Sequence, residues 1–321
     1  MAPASPSTQE ISDGVYVSVE QLAALESTAR DLTFIQRNAV QQPLTGRHSS
    51  RMRGRGLTFE ELREYLPGDD IRTIDWRVTA RTNKPFVRIY GEEKERPALI
   101  VVDQRTNMFF GSRRVMKSVT AAEAAMLCAW RILGSGDRVG GQVFNDSGTT
   151  QLRPHRSRES VIALGDSIAA MNQALNARTP GERATGQLDT VLRTVENVAH
   201  HDHLVIIVSD FDGHSAETRD LLLRLSVRND VLAILVYDPF LLELPTKGEI
   251  VIRGGSMQAE LTFQQAKARN AIGDFARSRG RELLAWQQEL GLPMLPVSTA
   301  LETAPQLRRL LAQTAWRQRR R

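Results

Sequence analysis

The feature that most constrains the fold of this chain is a short apolar segment, Leu99–Val102, that ends in Asp103. Four consecutive apolar residues of this kind are typical of a strand that is buried in a parallel sheet. A second segment of the same design, Leu204–Val208, is followed by Ser209 and Asp210. Because the carboxyl ends of parallel strands form the ligand crevice of an open α/β sheet, we expect the two carboxylates at one shared rim.

The order of the predicted elements indicates an α/β protein. Apolar strand segments alternate with helical segments, which predicts a doubly wound, mostly parallel sheet with helices on both faces. An amphipathic helix from Val19 to about Gln36 is predicted to precede this sheet. The predicted boundaries are a disordered tail at residues 1–13, an N-terminal helix and loop region packing on the core at 14–97, the α/β domain at 98–300 with a hairpin insertion at about 247–263, and a C-terminal basic helix at 301–321.

Composition and charge place the chain among cytoplasmic proteins. The chain has 321 residues, 25% of them charged, and a net charge of +5. Its one cysteine, Cys128, lies in an apolar run and is predicted to be a buried thiol, so no intrachain disulfide forms. No apolar run approaches the roughly 18 residues of a membrane span, and the first residues lack the pattern of a signal peptide. We therefore predict a cytoplasmic protein without membrane insertion.

Between the N-terminal helix and the first buried strand, acids, arginines and aromatics recur in a distinctive order. The residues that carry this pattern are Phe59, Leu62, Arg63, Glu64, Tyr65, Gly68, Asp69, Asp70, Ile74, Asp75, Trp76, Thr79, Ala80, Arg81, Val102, Asp103 and Gly136–Gly140. Together they resemble the bacterial family catalogued as domain of unknown function 58, over about residues 54 to 240. The resemblance implies a von Willebrand factor A-like domain that acts with a MoxR-type AAA+ ATPase as a chaperone or assembly factor.

The resemblance also implies a metal-ion-dependent adhesion site. That motif begins Asp-x-Ser-x-Ser, takes a Thr from a second loop and ends with an Asp from a third. Asp103 matches the first carboxylate and Asp210 the last, and the Thr is either Thr179 or Thr185. The two serine positions, however, are held by Arg105 and Asn107.

Arg105 changes the chemistry that this site can support. Serine hydroxyls are hard oxygen ligands that suit Mg²⁺, whereas arginine is a permanent cation without an acceptor atom. We hypothesise that Arg105 forms an internal ion pair with Asp103, Asp210 or both, which makes the metal site degenerate and leaves no need for a cofactor. In the alternative, Arg105 points outward while Asp103, Asn107, Asp210 and waters hold Mg²⁺.

These features predict a non-enzymatic interaction domain whose binding rim is formed by Asp103, Arg105, Asn107, Asp210 and Asp212. The segment Asp69–Arg81 either braces that rim or contacts the partner. His200–His203 is interpreted as a solvated turn, and no nucleophile arrangement is present.

Two alternatives come from other functional classes. One is a Mg²⁺-dependent phosphate-handling enzyme that uses Asp103 and Asp210. The other is nucleic-acid binding through the basic loop 47–55 and the terminal arginines Arg317, Arg319, Arg320 and Arg321. The lack of a basic stripe interleaved with aromatics argues against nucleic acid.

Overall fold

The computed structural model describes residues 14–32, 57–92, 96–176, 186–242, 249–254, 257–262 and 266–318. The described chain forms two compact units, one from residues 14–32 with 96 onward and the other from residues 57–92. The predicted boundaries instead grouped residues 14–97. The N-terminal helix, α1 (Val19–Ala29), belongs to the larger unit because Leu22 and Ala29 are buried in that unit's core, where Trp130 Nε1 donates to the Leu22 carbonyl at 3.1 Å.

Helix α1 is shorter than the sequence pattern suggested. Its start agrees with the prediction, since the Ser18 hydroxyl accepts a hydrogen bond from Gln21 N and the Gln21 side-chain oxygen accepts one from Ser18 N. The helix was expected to continue to about Gln36, but it ends at Ala29, and Leu32 N donates to the Ala29 carbonyl in a turn. Apolar spacing alone overestimated the helix, because residues beyond a helix end can still bury their side chains, as Leu32 does.

The smaller unit is a hairpin that encloses two short helical turns. Strands β1 (Leu57–Glu64) and β2 (Phe86–Glu92) pair in antiparallel register with a bulge between Phe59 and Glu61. Between them lie a 3₁₀ turn, Ile71–Thr73, and helix α2 (Trp76–Thr82), which ends at Asn83 in the left-handed conformation.

The larger unit is built on a six-stranded sheet. Its strands are β3 (Pro97–Asp103), β4 (Arg138–Phe144), β5 (Thr149–His155), β6 (Leu204–Ser209), β7 (Asp230–Tyr237) and β10 (Met294–Ser298). The predicted hairpin is a separate two-stranded sheet formed by β8 (Glu249–Gly254) and β9 (Met257–Thr262). The strand order is β10-β7-β6-β3-β4-β5, and only β5 runs antiparallel to its neighbour. The α/β prediction with a mostly parallel sheet is therefore confirmed.

Helices cover both faces of this sheet, as predicted. They are α3 (Lys117–Gly134), α4 (Arg158–Gln173), α5 (Gln187–Val198), α6 (Ala216–Arg228), α7 (Ala266–Glu289) and α8 (Thr303–Gln318). Ile100 and Val102 of β3 pack in one apolar core with α1, α3, α4 and α8. Leu99 and Val101 pack in the other core with α5, α6 and α7. Strand β3 is thus buried on both sides, which explains its unbroken apolar run.

Close packing beside β3 explains the two glycines of β4. A Cβ on Gly141 would lie 2.5 Å from the Ile100 carbonyl oxygen, and one on Gly140 would lie 2.5 Å from that of Leu152. Larger residues at either position would push the neighbouring strands apart.

A buried amide network joins the end of β3 to the surrounding helices. Asn172 accepts a hydrogen bond from Val17 N at 2.9 Å and donates one to Gln104 Oε1 at 3.1 Å. Gln104 Nε2 in turn donates to the Ser118 carbonyl at 3.0 Å. Because these amides are fully buried and each has partners, they fix the backbone that leads from β3 into the following loop.

Several predicted segments lie outside the described residues: the tail 1–13, the basic loop 47–55 and the last three arginines. In the part of the chain that the structure describes, none of the helices combines the length and apolar character needed to cross a bilayer.

Candidate functional site

The two carboxylates singled out from the sequence stand where the strand order of the sheet reverses. From β3 the chain first builds β4 and β5 on one side, and then β6, β7 and β10 on the other. In open α/β sheets the carboxyl ends of the strands at such a point form the binding crevice. Asp103 is the last residue of β3, and Asp210 directly follows its neighbour β6. We call the side chains at and just beyond these strand ends the strand-end rim.

Asp103 is fully buried and its carboxylate is saturated with donors. Its Oδ1 accepts from the backbone N and the Nε of Arg105, both at 3.0 Å. Its Oδ2 accepts from Arg105 Nη2 at 2.7 Å and from Ser209 Oγ at 2.6 Å. A carboxylate offers about four acceptor positions, so none remains for a metal ion or a substrate. The expected ion pair between Arg105 and Asp103 is present.

Arg105 is itself buried, with 6% of the residue exposed. Burial opposes the charge on its guanidinium, but the Asp103 carboxylate, with Asp210 and Asp212 further off, raises the pKa of Arg105 above its ordinary value. The guanidinium carbon also lies 5.4 Å from the centre of the Phe144 ring, within the range of a cation–π contact. A fixed positive charge therefore stands at the first serine position of the adhesion-site motif.

Asp210 has a cationic partner that the sequence analysis missed. Lys117 Nζ lies 2.5 Å from Asp210 Oδ2, while Asn107 Nδ2 donates to Oδ1 at 2.7 Å and the Asp212 backbone donates to it at 2.8 Å. Burial opposes the charge of this carboxylate, but Lys117, the Asp212 backbone and Arg105 together lower the pKa of Asp210.

The position of Lys117 is informative because it is the first residue of helix α3. The positive end of a helix dipole disfavours a cation there, typically by 0.3 to about 1 kcal/mol. The nearby Asp210 carboxylate compensates for this cost. A basic residue at the start of an otherwise Ala-rich buried helix is the only local sequence signal for this lysine, and it does not indicate which carboxylate the lysine contacts.

The remaining acidic groups at this edge are also held by internal donors. Asp212 accepts from Arg279 Nη1 of α7 at 2.6 Å, a second partner that the sequence analysis missed. Asp146, just beyond β4, accepts from the backbone and the hydroxyl of Thr106 at 2.6 and 2.7 Å. Asp212 thus joins its loop to helix α7, and Asp146 joins the loop after β4 to the loop after β3.

Asp238 fastens the far end of the rim, beyond β7. Its carboxylate accepts from the backbone of Ser112 at 2.8 Å, the hydroxyls of Ser112 and Thr299 at 2.6 Å, and the backbone of Phe240 at 2.9 Å. Burial opposes its charge, yet these donors together lower the pKa of Asp238.

The residues present do not fit a divalent cation. Mg²⁺ requires free oxygen ligands in near-octahedral geometry, whereas the oxygens of Asp103 and Asp210 accept hydrogen bonds from Arg105, Lys117 and their neighbours. Two fixed cations would also repel the ion. No group of three or more acidic, His or Cys side chains suited to a metal occurs among the residues that the structure describes. Thr179 and Thr185, the candidates for the second loop, lie outside those residues.

Two other groups considered from the sequence stay apart from the rim. Cys128 is fully buried in α3, where burial raises the pKa of its thiol to about 12. His200–His203 lies in the turn before β6, at the opposite end of that strand from Asp210, where the His201 ring contacts its neighbour Asp202 at 3.0 Å.

The signature residues of the smaller unit hold that unit's own loop. Arg63 binds both carboxylate oxygens of Asp69 at 2.9 and 2.8 Å, and Asp69 also accepts from Leu66 N at 2.8 Å. This closes the turn at Gly68, whose φ of +111° suits glycine. The Tyr65 backbone donates to the Pro85 carbonyl at 2.8 Å. An ion pair and a backbone hydrogen bond to the same carboxylate therefore hold this loop.

Comparisons with known proteins place these features in context. Residues 61–282 match the family described as "Protein of unknown function DUF58". The uncharacterized protein Rv1480 of Mycobacterium tuberculosis and the uncharacterized protein Mb1516 of Mycobacterium bovis are each 31% identical over 254 residues, which cover 79% of this chain and 77% of the relative. The crystal structure of the conserved hypothetical protein BatB from Bacteroides thetaiotaomicron aligns with 68% of this chain and 98% of its own, at 11% identity and a TM-score of 0.36, a likeness too low to support an argument.

Removing one partner of the Arg105–Asp103 pair is expected to be costly. Arg105→Met should lower the free energy of unfolding by about 3–5 kcal/mol, because it leaves a buried carboxylate without its cation. The double variant Asp103→Asn/Arg105→Met should lose less than the single one, since it buries no unpaired charge. Urea unfolding followed by circular dichroism measures both; a loss under about 1 kcal/mol in Arg105→Met would contradict the buried pair.

Stability should depend on pH through Asp238. Because its pKa is lowered below the ordinary 3.8, its charged form stabilises the fold above that value, and this contribution is lost as the pH falls through the lowered pKa. The difference in unfolding free energy between the wild type and Asp238→Asn should stay constant above about pH 5 and narrow below pH 3.8. The exposed Asp166 on α4 supplies the control, Asp166→Asn. A difference that widened on acidification would refute the assignment.

Proposed function

The chain belongs to the family described as protein of unknown function DUF58, and we propose that it is a non-enzymatic interaction module that acts in the cytoplasm with a MoxR-type AAA+ ATPase. Its role in this proposal is that of a chaperone or assembly factor. The binding face is the strand-end rim around Asp103, Arg105, Asn107, Asp210 and Asp212.

The observation that carries this proposal is the internal pairing of the rim. The carboxylates of Asp103, Asp210 and Asp212 each meet a cation from the same unit at 2.5–2.7 Å. A general base or a metal ligand needs a free lone pair. The Asp103 carboxylate accepts four hydrogen bonds within the protein, and a cation of the protein holds each of Asp210 and Asp212. A rim whose side chains are already fixed loses little conformational entropy when a partner docks, which favours binding over catalysis.

The larger unit is, in our proposal, a von Willebrand factor A-like domain with a substituted metal site. Support comes from the strand order, from the single antiparallel strand β5 at one edge, and from Asp103 at the end of the central strand. In this proposal Arg105 and Lys117 supply the positive charge that a divalent ion would otherwise supply at the rim.

The two alternatives have less support. A Mg²⁺-dependent phosphate-handling enzyme needs Asp103 and Asp210 as free ligands, and both are paired with cations. The nucleic-acid alternative was based on loop 47–55 and on the terminal arginines. That loop and residues 319–321 lie outside the described residues.

Binding to the ATPase tests the proposal directly. We expect the purified chain to bind a purified MoxR-type ATPase from the same organism in biolayer interferometry, with or without EDTA. Asp212→Lys should weaken binding by about tenfold or more, because it breaks the contact with Arg279 and reverses a charge on the rim.

The matched control is Asp166→Lys, the same charge change at the exposed position on α4. It should bind as the wild type does. If the wild type does not bind, the partnership is wrong; if Asp212→Lys binds normally, the face lies elsewhere.

A further inference from the structure

The smaller unit exposes several large apolar side chains. Trp76 is 69% exposed, Ile71 65%, Leu66 59% and Leu62 37%. Single exposed apolar residues are ordinary on protein surfaces, but four within one short segment, including a tryptophan, are characteristic of an interaction site. The core of the unit does not explain them, because they lie outside it.

The exposure follows from an arrangement that occurs twice in succession. In Asp70-Ile71-Arg72 the Asp70 carboxylate accepts from Arg72 N at 2.9 Å and caps the 3₁₀ turn. In Asp75-Trp76-Arg77 the Asp75 carboxylate accepts from Arg77 N at 2.9 Å and caps α2. Each aspartate side chain thus accepts a hydrogen bond from the backbone two residues later. The apolar residue and the arginine that follow it are exposed to solvent.

The charges of this segment are unevenly neutralised. Three ion pairs neutralise its Glu64, Asp69 and Asp75, with Lys84, Arg63 and Arg88 as the partners. Arg72, Arg77 and Arg81 are exposed and have no ion pair with any described residue. Arg77 and Arg81 are also four residues apart on α2, where like charges disfavour the helix. Stability of the fold therefore does not account for these arginines.

We propose that the tryptophan surface, defined as Leu66, Ile71, Arg72, Trp76, Arg77 and Arg81, docks an acidic peptide segment of a partner protein that also carries apolar side chains. Tryptophan and arginine are the residues most enriched among those that dominate binding energy at protein interfaces. The unpaired arginines select acidic groups, and the aliphatic Leu66 and Ile71 select apolar ones.

A peptide fits this surface better than a nucleic acid does. Nucleic-acid sites combine many cations with several aromatic platforms on which bases stack. Here three exposed arginines, none of them in an ion pair with a described residue, accompany one exposed tryptophan and two aliphatic residues. The inference concerns the smaller unit alone and does not rest on the function proposed for the strand-end rim.

Fluorescence anisotropy with a defined probe tests the proposal. The probe is a short fluorescein-labelled peptide of alternating Glu and Leu, and its matched control replaces each Glu with Gln. We expect the full chain to bind the acidic peptide and to bind the Gln version at least about tenfold more weakly. Trp76→Ala and Arg77→Glu/Arg81→Glu should each weaken binding of the acidic peptide by about tenfold or more.

Two control variants lie on the larger unit. Val227→Ala removes an apolar side chain that is 74% exposed, and Arg309→Glu reverses an exposed charge on α8. Both should bind the peptide as the wild type does. Because Trp76, Arg77 and Arg81 are exposed, their variants should keep the wild-type circular dichroism and urea midpoint.

Several results would overturn the proposal. No binding by the wild type would show that an acidic peptide is not the ligand, and so would tighter Arg77-dependent binding of single-stranded RNA or anionic vesicles. Binding that survives Trp76→Ala would show that the peptide docks elsewhere. Dimers in sedimentation that Trp76→Ala dissociates would identify a second copy of the chain as the occupant.

Discussion

The rim of this protein depends on one interaction, the buried ion pair between Arg105 and Asp103. A carboxylate at the end of a central strand must be neutralised or solvated, because a buried unpaired charge is strongly unfavourable. Arg105 meets this need through two side-chain hydrogen bonds and one from its backbone. The Ser209 hydroxyl donates a further hydrogen bond to the Asp103 carboxylate and so links β6 to β3. The geometry of the neighbouring loops follows from these contacts.

The two units use aspartates in the same way. In the larger unit Asp146 and Asp238 accept hydrogen bonds from loop backbones and hydroxyls, and in the smaller unit Asp69, Asp70 and Asp75 close a turn or cap a helix. Acidic side chains therefore hold loops in place, while Arg72, Arg77 and Arg81 of the smaller unit are exposed. These hydrogen bonds give the loops of both units defined conformations.

The fold was largely predictable because short local patterns of apolar and polar residues indicate most of its elements. The apolar runs that end at Asp103 and before Asp210 fixed the central strands, and the alternation of elements indicated the parallel sheet. The Arg105–Asp103 pair was predictable for the same reason, since the residues are two apart. Apolar spacing could not locate the end of α1. The predicted boundaries placed α1 and the signature region together at 14–97, whereas α1 belongs to the larger unit.

The partners of the rim were harder to predict because they come from distant parts of the chain. Lys117 lies 93 residues from Asp210, and Arg279 lies 67 residues from Asp212. No motif links such positions, so only the folded chain brings them together. The exposure of Trp76 could not be predicted either. No feature of the sequence shows whether a tryptophan in this motif lies in the core or on the surface.

The central claim is that internal cations have replaced a divalent ion at the rim, and calorimetric titration of the wild-type chain with Mg²⁺ and Mn²⁺ tests it most directly. Since Arg105 and Lys117 occupy the carboxylates, the account predicts no saturable one-site binding of either ion. Clear one-site binding that disappears in Asp103→Ala would contradict it, because Asp103 would then be a metal ligand rather than the partner of Arg105.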